Sequence, residues 1–72
     1  MKILILKTDL QDDEAVDQVQ DLLNSHPDIE KWTVDTEDID KVLRIEAKDE
    51  LSYNEVIAMV NYQNFHCEEL ED

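Results

Sequence analysis

Val42-Leu43-Arg44-Ile45-Glu46-Ala47 alternates apolar and polar residues, the period of a half-buried strand, and a few residues later Ser52-Tyr53-Asn54-Glu55 carries the signature of a helix start. Ser52 is placed to cap the helix and Glu55, three residues on, to reach back to it. Leu51 and Val56 sit where a hydrophobic staple would form. Tyr53, Val56, Ile57 and Val60 then give an apolar stripe at helical spacing, and Asn64 is a left-handed terminating residue where Gly is more usual. Toward the N-terminus, Ile29, Trp32 and Val34 alternate with polar neighbours and pair with 42–47 as a hairpin through the polar turn Thr36 to Asp40, although no Asn-Gly or Asp-Gly marks that turn. Ala15, Val16, Val19, Leu22 and Leu23 form a second helical stripe. It opens on Asp12, Asp13 and Glu14, which suit the positive end of a helix dipole, and ends near Asn24 or Ser25 because Pro27 cannot continue it. Ile3-Leu4-Ile5-Leu6, flanked by Lys2 and Lys7, is an unbroken apolar run of strand length and is expected to be a central strand buried on both faces. Phe65 to Leu70 completes the chain as a short edge strand.

The predicted order is strand, helix, strand, strand, helix, strand in one domain spanning 1–72. Right-handed crossovers then place both helices on one face of a four-stranded antiparallel sheet, an α+β, ferredoxin-like βαββαβ sandwich. The chain has no Gly. Asp28 and Asn64, of the residue types that best tolerate positive φ, stand near the positions where Gly would be expected.

Twenty Asp and Glu against six Lys and Arg give a formal net charge of -14. Leu, Ile, Val and Phe nevertheless make up 21 of 72 residues, above the roughly 20% below which a highly charged chain stays disordered. A strong negative field repels phosphate backbones and anionic lipid, so nucleic acid and membrane partners are not expected. The surroundings of Trp32 and Phe65 carry the wrong charge for a base-stacking platform, and both are expected at the edge of the core. One cysteine excludes an internal disulfide, and the apolar run at the N-terminus is too short for a signal or a membrane span; a cytoplasmic, soluble protein is expected. A chain this small leaves little room for a catalytic cleft, and neither Ser25-His26 nor Cys67 comes with the partners that nucleophilic catalysis needs, so no enzyme is expected.

Nearly the whole chain resembles the heavy-metal-associated domains, the copper-chaperone-like family. The resemblance is carried by Lys2 to Thr8 ahead of a loop, by Val16, Val19, Leu22 and Leu23, by Asp28-Ile29-Glu30-Lys31-Trp32-Thr33-Val34-Asp35, by Asp40 to Ile45 and by Asn64-Phe65. The family binds soft ions such as Cu(I) or Zn(II) through a C-x-x-C motif at the entry to the first helix. Laid on this chain, the two cysteine positions fall at Asp12 and Ala15. A carboxylate is a hard ligand and a methyl group is none, so the resemblance implies the scaffold without its thiolate site, and no metal or cofactor is expected.

Other clusters have ordinary readings. Asp9, Asp12, Asp13 and Glu14 lie along one helical turn as a solvated, dipole-complementing face. Asp35, Glu37, Asp38 and Asp40 lack the Gly and closing Glu of a calcium loop. His66 and Cys67 are neighbours in an extended segment and point to opposite faces, with Cys67 expected to be half-buried and His66 exposed. The function expected is a small acidic binding or regulatory module whose partner surface is Asp12, Asp13 and Glu14. Its partner would be a protein with a basic patch, and the chain itself a monomer or an edge-paired homodimer. The alternative is a metal-binding or transport protein with altered ligands, either acidic residues or His66 and Cys67.

Overall fold

The computed structural model describes residues 1–70. Its elements follow the predicted order: β1 (Lys2–Thr8), α1 (Asp13–Ser25), β2 (Ile29–Asp35), β3 (Val42–Ala47), α2 (Tyr53–Tyr62) and β4 (Cys67–Glu69). The sheet runs β2-β3-β1-β4, every pair antiparallel, with both helices on one face: the ferredoxin-like sandwich.

Register decides which residues enter the core. Leu4 lies opposite Ile45 and Leu6 opposite Leu43, so the inward positions of β1 and β3 form one apolar layer, continued by Trp32 and Val34 of β2. Ala15, Val19 and Leu23 of α1 and Val56 and Val60 of α2 close it, and the loop residues Leu10 and Leu51 plug its ends. Trp32 and Phe65 are half-buried against this core, as expected.

The first strand departs from expectation. It is central, but only one of its faces is covered, because both helices lie on the same side; Ile3 is 45% exposed and Ile5 half-buried. An apolar run cannot distinguish one-sided from two-sided burial when both outward positions are isoleucine. The outward face of the sheet instead carries Lys7, Lys31 and Arg44, three of the six basic residues.

Helix ends follow local chemistry. Asp12 caps α1 in an extended conformation, and Ser52 caps α2 by accepting the Glu55 N–H at 3.2 Å. Leu51 and Val56 are both fully buried beneath that turn. Asn64 takes the left-handed conformation (φ 69°), as its position implies. Asp28 does not; the second left-handed residue is Lys41 (φ 47°), at the end of the β2–β3 turn. That turn is fastened from within: Asp35 Oδ1 accepts the N–H groups of Glu37 and Asp38, and Asp38 Oδ1 accepts that of Asp40, so the acidic side chains replace Gly as turn formers. The last strand is shorter than Phe65–Leu70, since Phe65 and His66 belong to the turn before it.

Candidate functional site

Three loops gather at one end of the sheet: β1–α1 (residues 9–12), β2–β3 (36–41) and α2–β4 (63–66). Buried Thr8 fixes the first of them. Its hydroxyl donates to the Lys41 carbonyl and accepts the Leu10 N–H at 3.2 Å, while its own N–H donates to the Asp40 carbonyl at 3.1 Å. Asp9 holds the third loop, accepting the His66 N–H at 2.8 Å and donating its own N–H to the His66 carbonyl. Asp9 is therefore structural, but it lies in the loop ahead of α1 rather than on the helical turn where it was expected, and it fastens a neighbouring loop instead of complementing the helix dipole.

Between these anchors lie Asp12, Asp13 and Glu14, all exposed. Asp12 Oδ1 accepts the Ala15 N–H at 2.9 Å. The two positions that the family resemblance equates with cysteines are thus joined by a capping hydrogen bond. Asp13 and Glu14 occupy the first turn, and no basic residue lies anywhere in α1. Lys7 Nζ, 3.7 Å from Asp40, offsets one charge of this end, and Lys41 Nζ is held by the Thr36 carbonyl at 2.6 Å. The result is a firm backbone frame presenting uncompensated carboxylates to solvent, an arrangement that attracts cations and basic side chains over about a Debye length.

Cys67 and His66 lie beside this frame but do not converge. Cys67 is 3% exposed, more deeply buried than expected, because β4 closes the core against β1 opposite Thr8. Burial, then the charges of Asp9 and Glu68, push its thiol up to about 12. His66 is exposed on the other side, with Nε2 3.6 Å from Glu68.

A cluster that the sequence did not reveal sits at the opposite end. His26, Asp28 and Glu55, drawn from the end of α1, the α1–β2 turn and the start of α2, bring ligand-type atoms within 4.8 Å of one another. His26 Nδ1 accepts the Asp28 N–H at 3.1 Å, so Nε2 carries the ring proton and donates to Glu55 Oε2. Both ring nitrogens are therefore committed. A metal on Nε2 would displace that proton and force Nδ1–H against the Asp28 N–H. The ring works instead as a clasp between the two helices. It also explains why Glu55, expected to reach back toward Ser52, turns away from its own cap. A double-mutant cycle of His26→Ala and Glu55→Ala, read by urea denaturation, is expected to show about 1 kcal/mol of coupling, the net value of one hydrogen bond with a half-exposed acceptor. Additive losses would mean that the clasp contributes nothing.

Among the described residues, no helix is long and apolar enough to cross a membrane. No family model matches the sequence, and no curated protein is detectably similar to it. Solved structures are similar in shape. A chain from work on crosstalk between Cu(I) and Zn(II) homeostasis has a TM-score of 0.83 and 10% identity, over 97% of this chain and 100% of that one. The yeast copper transporter domain Ccc2a, solved in apo and Cu(I)-loaded states, has a TM-score of 0.83 and 14% identity over 100% and 99%. A chain of the Atx1–Cu(I)–Ccc2a complex matches to the same degree and extent. Over its full length, then, the chain has the ferredoxin-like fold of the copper-chaperone-like, heavy-metal-associated domains.

Proposed function

We propose that this chain is a binding or regulatory module built on that scaffold without a thiolate metal site, acting through the acidic loop Asp12, Asp13 and Glu14 on a protein partner that carries a basic patch. The observation that carries this is the chemistry at the start of α1. Where the family resemblance places two cysteines, Asp12 serves as a helix cap on Ala15, leaving an oxygen ligand and a methyl group. The chain's one cysteine is buried in β4. A similar scaffold appears in a complex with a second protein, Atx1–Cu(I)–Ccc2a, which favours a protein partner. The metal-binding alternative draws no support from His66 and Cys67, since the thiol is buried in β4 while His66 is exposed in the loop before it.

Two arms test this. Chelator-stripped, reduced protein titrated with Cu(I), Zn(II), Mg(II) and Ca(II) and followed by amide NMR is expected to show no site-specific shifts at 12–15 or 66–67 at micromolar ion. Capped decalysine is expected to shift the amides of 9–16, to bind more weakly as salt rises from 50 to 300 mM, and to lose affinity severalfold in the Asp12→Asn, Asp13→Asn, Glu14→Gln variant, which keeps its cap. A located micromolar ion, or decalysine binding indifferent to both salt and the triple variant, would overturn the proposal.

A further inference from the structure

Among the described residues the sheet has two free edges, and they differ in length. Strand β4 offers three residues, whereas β2, paired only with β3, offers seven. One row of β2 N–H and C=O groups therefore faces away from the sheet, the template on which another strand can be added. An irregularity between Ile29 and Lys31 guards the first part of this edge, and the stretch from Trp32 to Asp35 is regular.

Beside this edge lies a cavity of about 450 Å3, walled by Gln20, Leu23 and Asn24 of α1 and by Ile29, Glu30 and Trp32 of β2. The Trp32 indole N–H donates to Asn24 Oδ1 at 2.8 Å, which fixes the ring against the helix. Gln20 and Asn24 belong to a single helical stripe whose earlier members are Asp17, three residues before Gln20, and Asp13, seven before it. The helix wall thus becomes acidic toward the loop of Asp12, Asp13 and Glu14. Glu30 adds a carboxylate on the strand side. Lys31, the cation at the rim, is in register with Glu46 on β3.

We infer that this groove takes an extended, lysine- or arginine-bearing segment of a protein partner, added to β2 as a fifth strand. Main-chain hydrogen bonds to the edge hold it, the stem of a basic side chain lies against Trp32, and the charged heads face Asp13, Asp17 and Glu30. The inference rests on the proposed function for the basic character of the partner; the site is a different one. A second copy is the competing occupant, since antiparallel pairing about Thr33 would set Lys31 against Asp35 twice. Two chains of net charge -14 repel, however, and that favours the basic partner.

The test uses a capped nonapeptide of alternating lysine and valine, added to isotope-labelled protein, with two controls: the same peptide carrying D-valine, and a glutamate–valine counterpart. Expected are shifts at the amides of 29–35 and at the Trp32 indole N–H, slowed hydrogen exchange along β2, at least tenfold weaker binding of the D-valine peptide, no binding of the acidic one, and severalfold weaker binding to the Asp17→Lys variant. Equal binding of the D-valine peptide would reduce the effect to charge attraction and overturn strand addition. Shifts confined to 9–16 would overturn the groove while leaving the acidic-loop proposal standing; shifts at 29–35 with 9–16 silent would support the groove and overturn the loop. Concentration-dependent shifts at 29–35 without peptide would assign the edge to a second copy and overturn the basic partner.

Discussion

Replacing Asp12 and Ala15 together with cysteine is expected to turn the start of α1 into a Cu(I) site, with affinity at least about a thousandfold above the unaltered chain, or roughly 4 kcal/mol. The positions are the N-cap and the third residue of the helix, and the capping bond from the Ala15 N–H to Asp12 Oδ1 at 2.9 Å shows that they already face each other across one turn. Residues three apart on a helix hold their Cβ atoms about 5–6 Å apart, within reach of two sulfurs sharing one ion at bonds of about 2.3 Å. The helix N-terminus favours thiolate formation there, against which Asp13 and Glu14 act. Losing the Asp12 cap costs about 1 kcal/mol. Ala15 is 8% exposed, so its new sulfur adds about 1 kcal/mol of crowding, and both penalties fall on stability rather than on the metal. Competition with a Cu(I) chelator gives the affinity, amide shifts at 9–16 locate the ion, and the matching double serine variant controls for loop disruption. A folded double-cysteine variant that leaves Cu(I) with the chelator would refute the correspondence between these two positions and the family motif, and with it the main support for the proposed function.

Why the fold was legible and the second cluster was not comes down to the range of the interactions. Strand and helix periods are local: the stripe Ala15, Val19, Leu23 and the alternation from Val42 to Ala47 reach the core without help from distant sequence. Caps are local too, and Asp12, Ser52 and Asn64 each do what their neighbours imply. Asp12, Asp13 and Glu14 likewise stand at the helix start, where their spacing from its apolar stripe put them. What required the tertiary structure were the choices between partners. Glu55 meets the Ser52 cap and the His26 ring at once, and only the packing of α1 beside α2 settles which one it takes. The same holds for Ile3 and Ile5, whose outward placement depends on where the helices lie, and for Lys41, whose left-handed backbone ends a turn that two acidic side chains, Asp35 and Asp38, organise. The groove beside β2 joins residues 20–24 to 29–32, and no periodicity links the edge of a sheet to the flank of a helix.

Cys67 is expected to alkylate about a thousandfold more slowly in the folded protein than in urea. Its thiol is pushed from an ordinary 9.0 up to about 12, chiefly by burial and then by Asp9 and Glu68. At pH 8 the reactive thiolate therefore falls from roughly one in ten to roughly one in ten thousand. The same shift ties the cysteine to stability, and its sign is fixed. The folded state holds this proton more tightly than the unfolded chain, so the contribution is complete below pH 9 and is lost as pH rises from 9 toward 12, at no more than about 1.4 kcal/mol per unit. Tyrosines and lysines titrate in that window as well, so the measurement is a difference: urea stability of the native chain minus that of Cys67→Ala, followed from pH 8 to 10.5. The difference is expected to shrink by about 2 kcal/mol across this range, with the variant falling less steeply than the native chain. Iodoacetamide labelling at the rate of a free peptide, together with parallel pH profiles, would mean that Cys67 opens to solvent. His66 and Cys67 would then be accessible to a soft ion, and the Cu(I) and Zn(II) titration would decide between the metal-binding alternative and the acidic module.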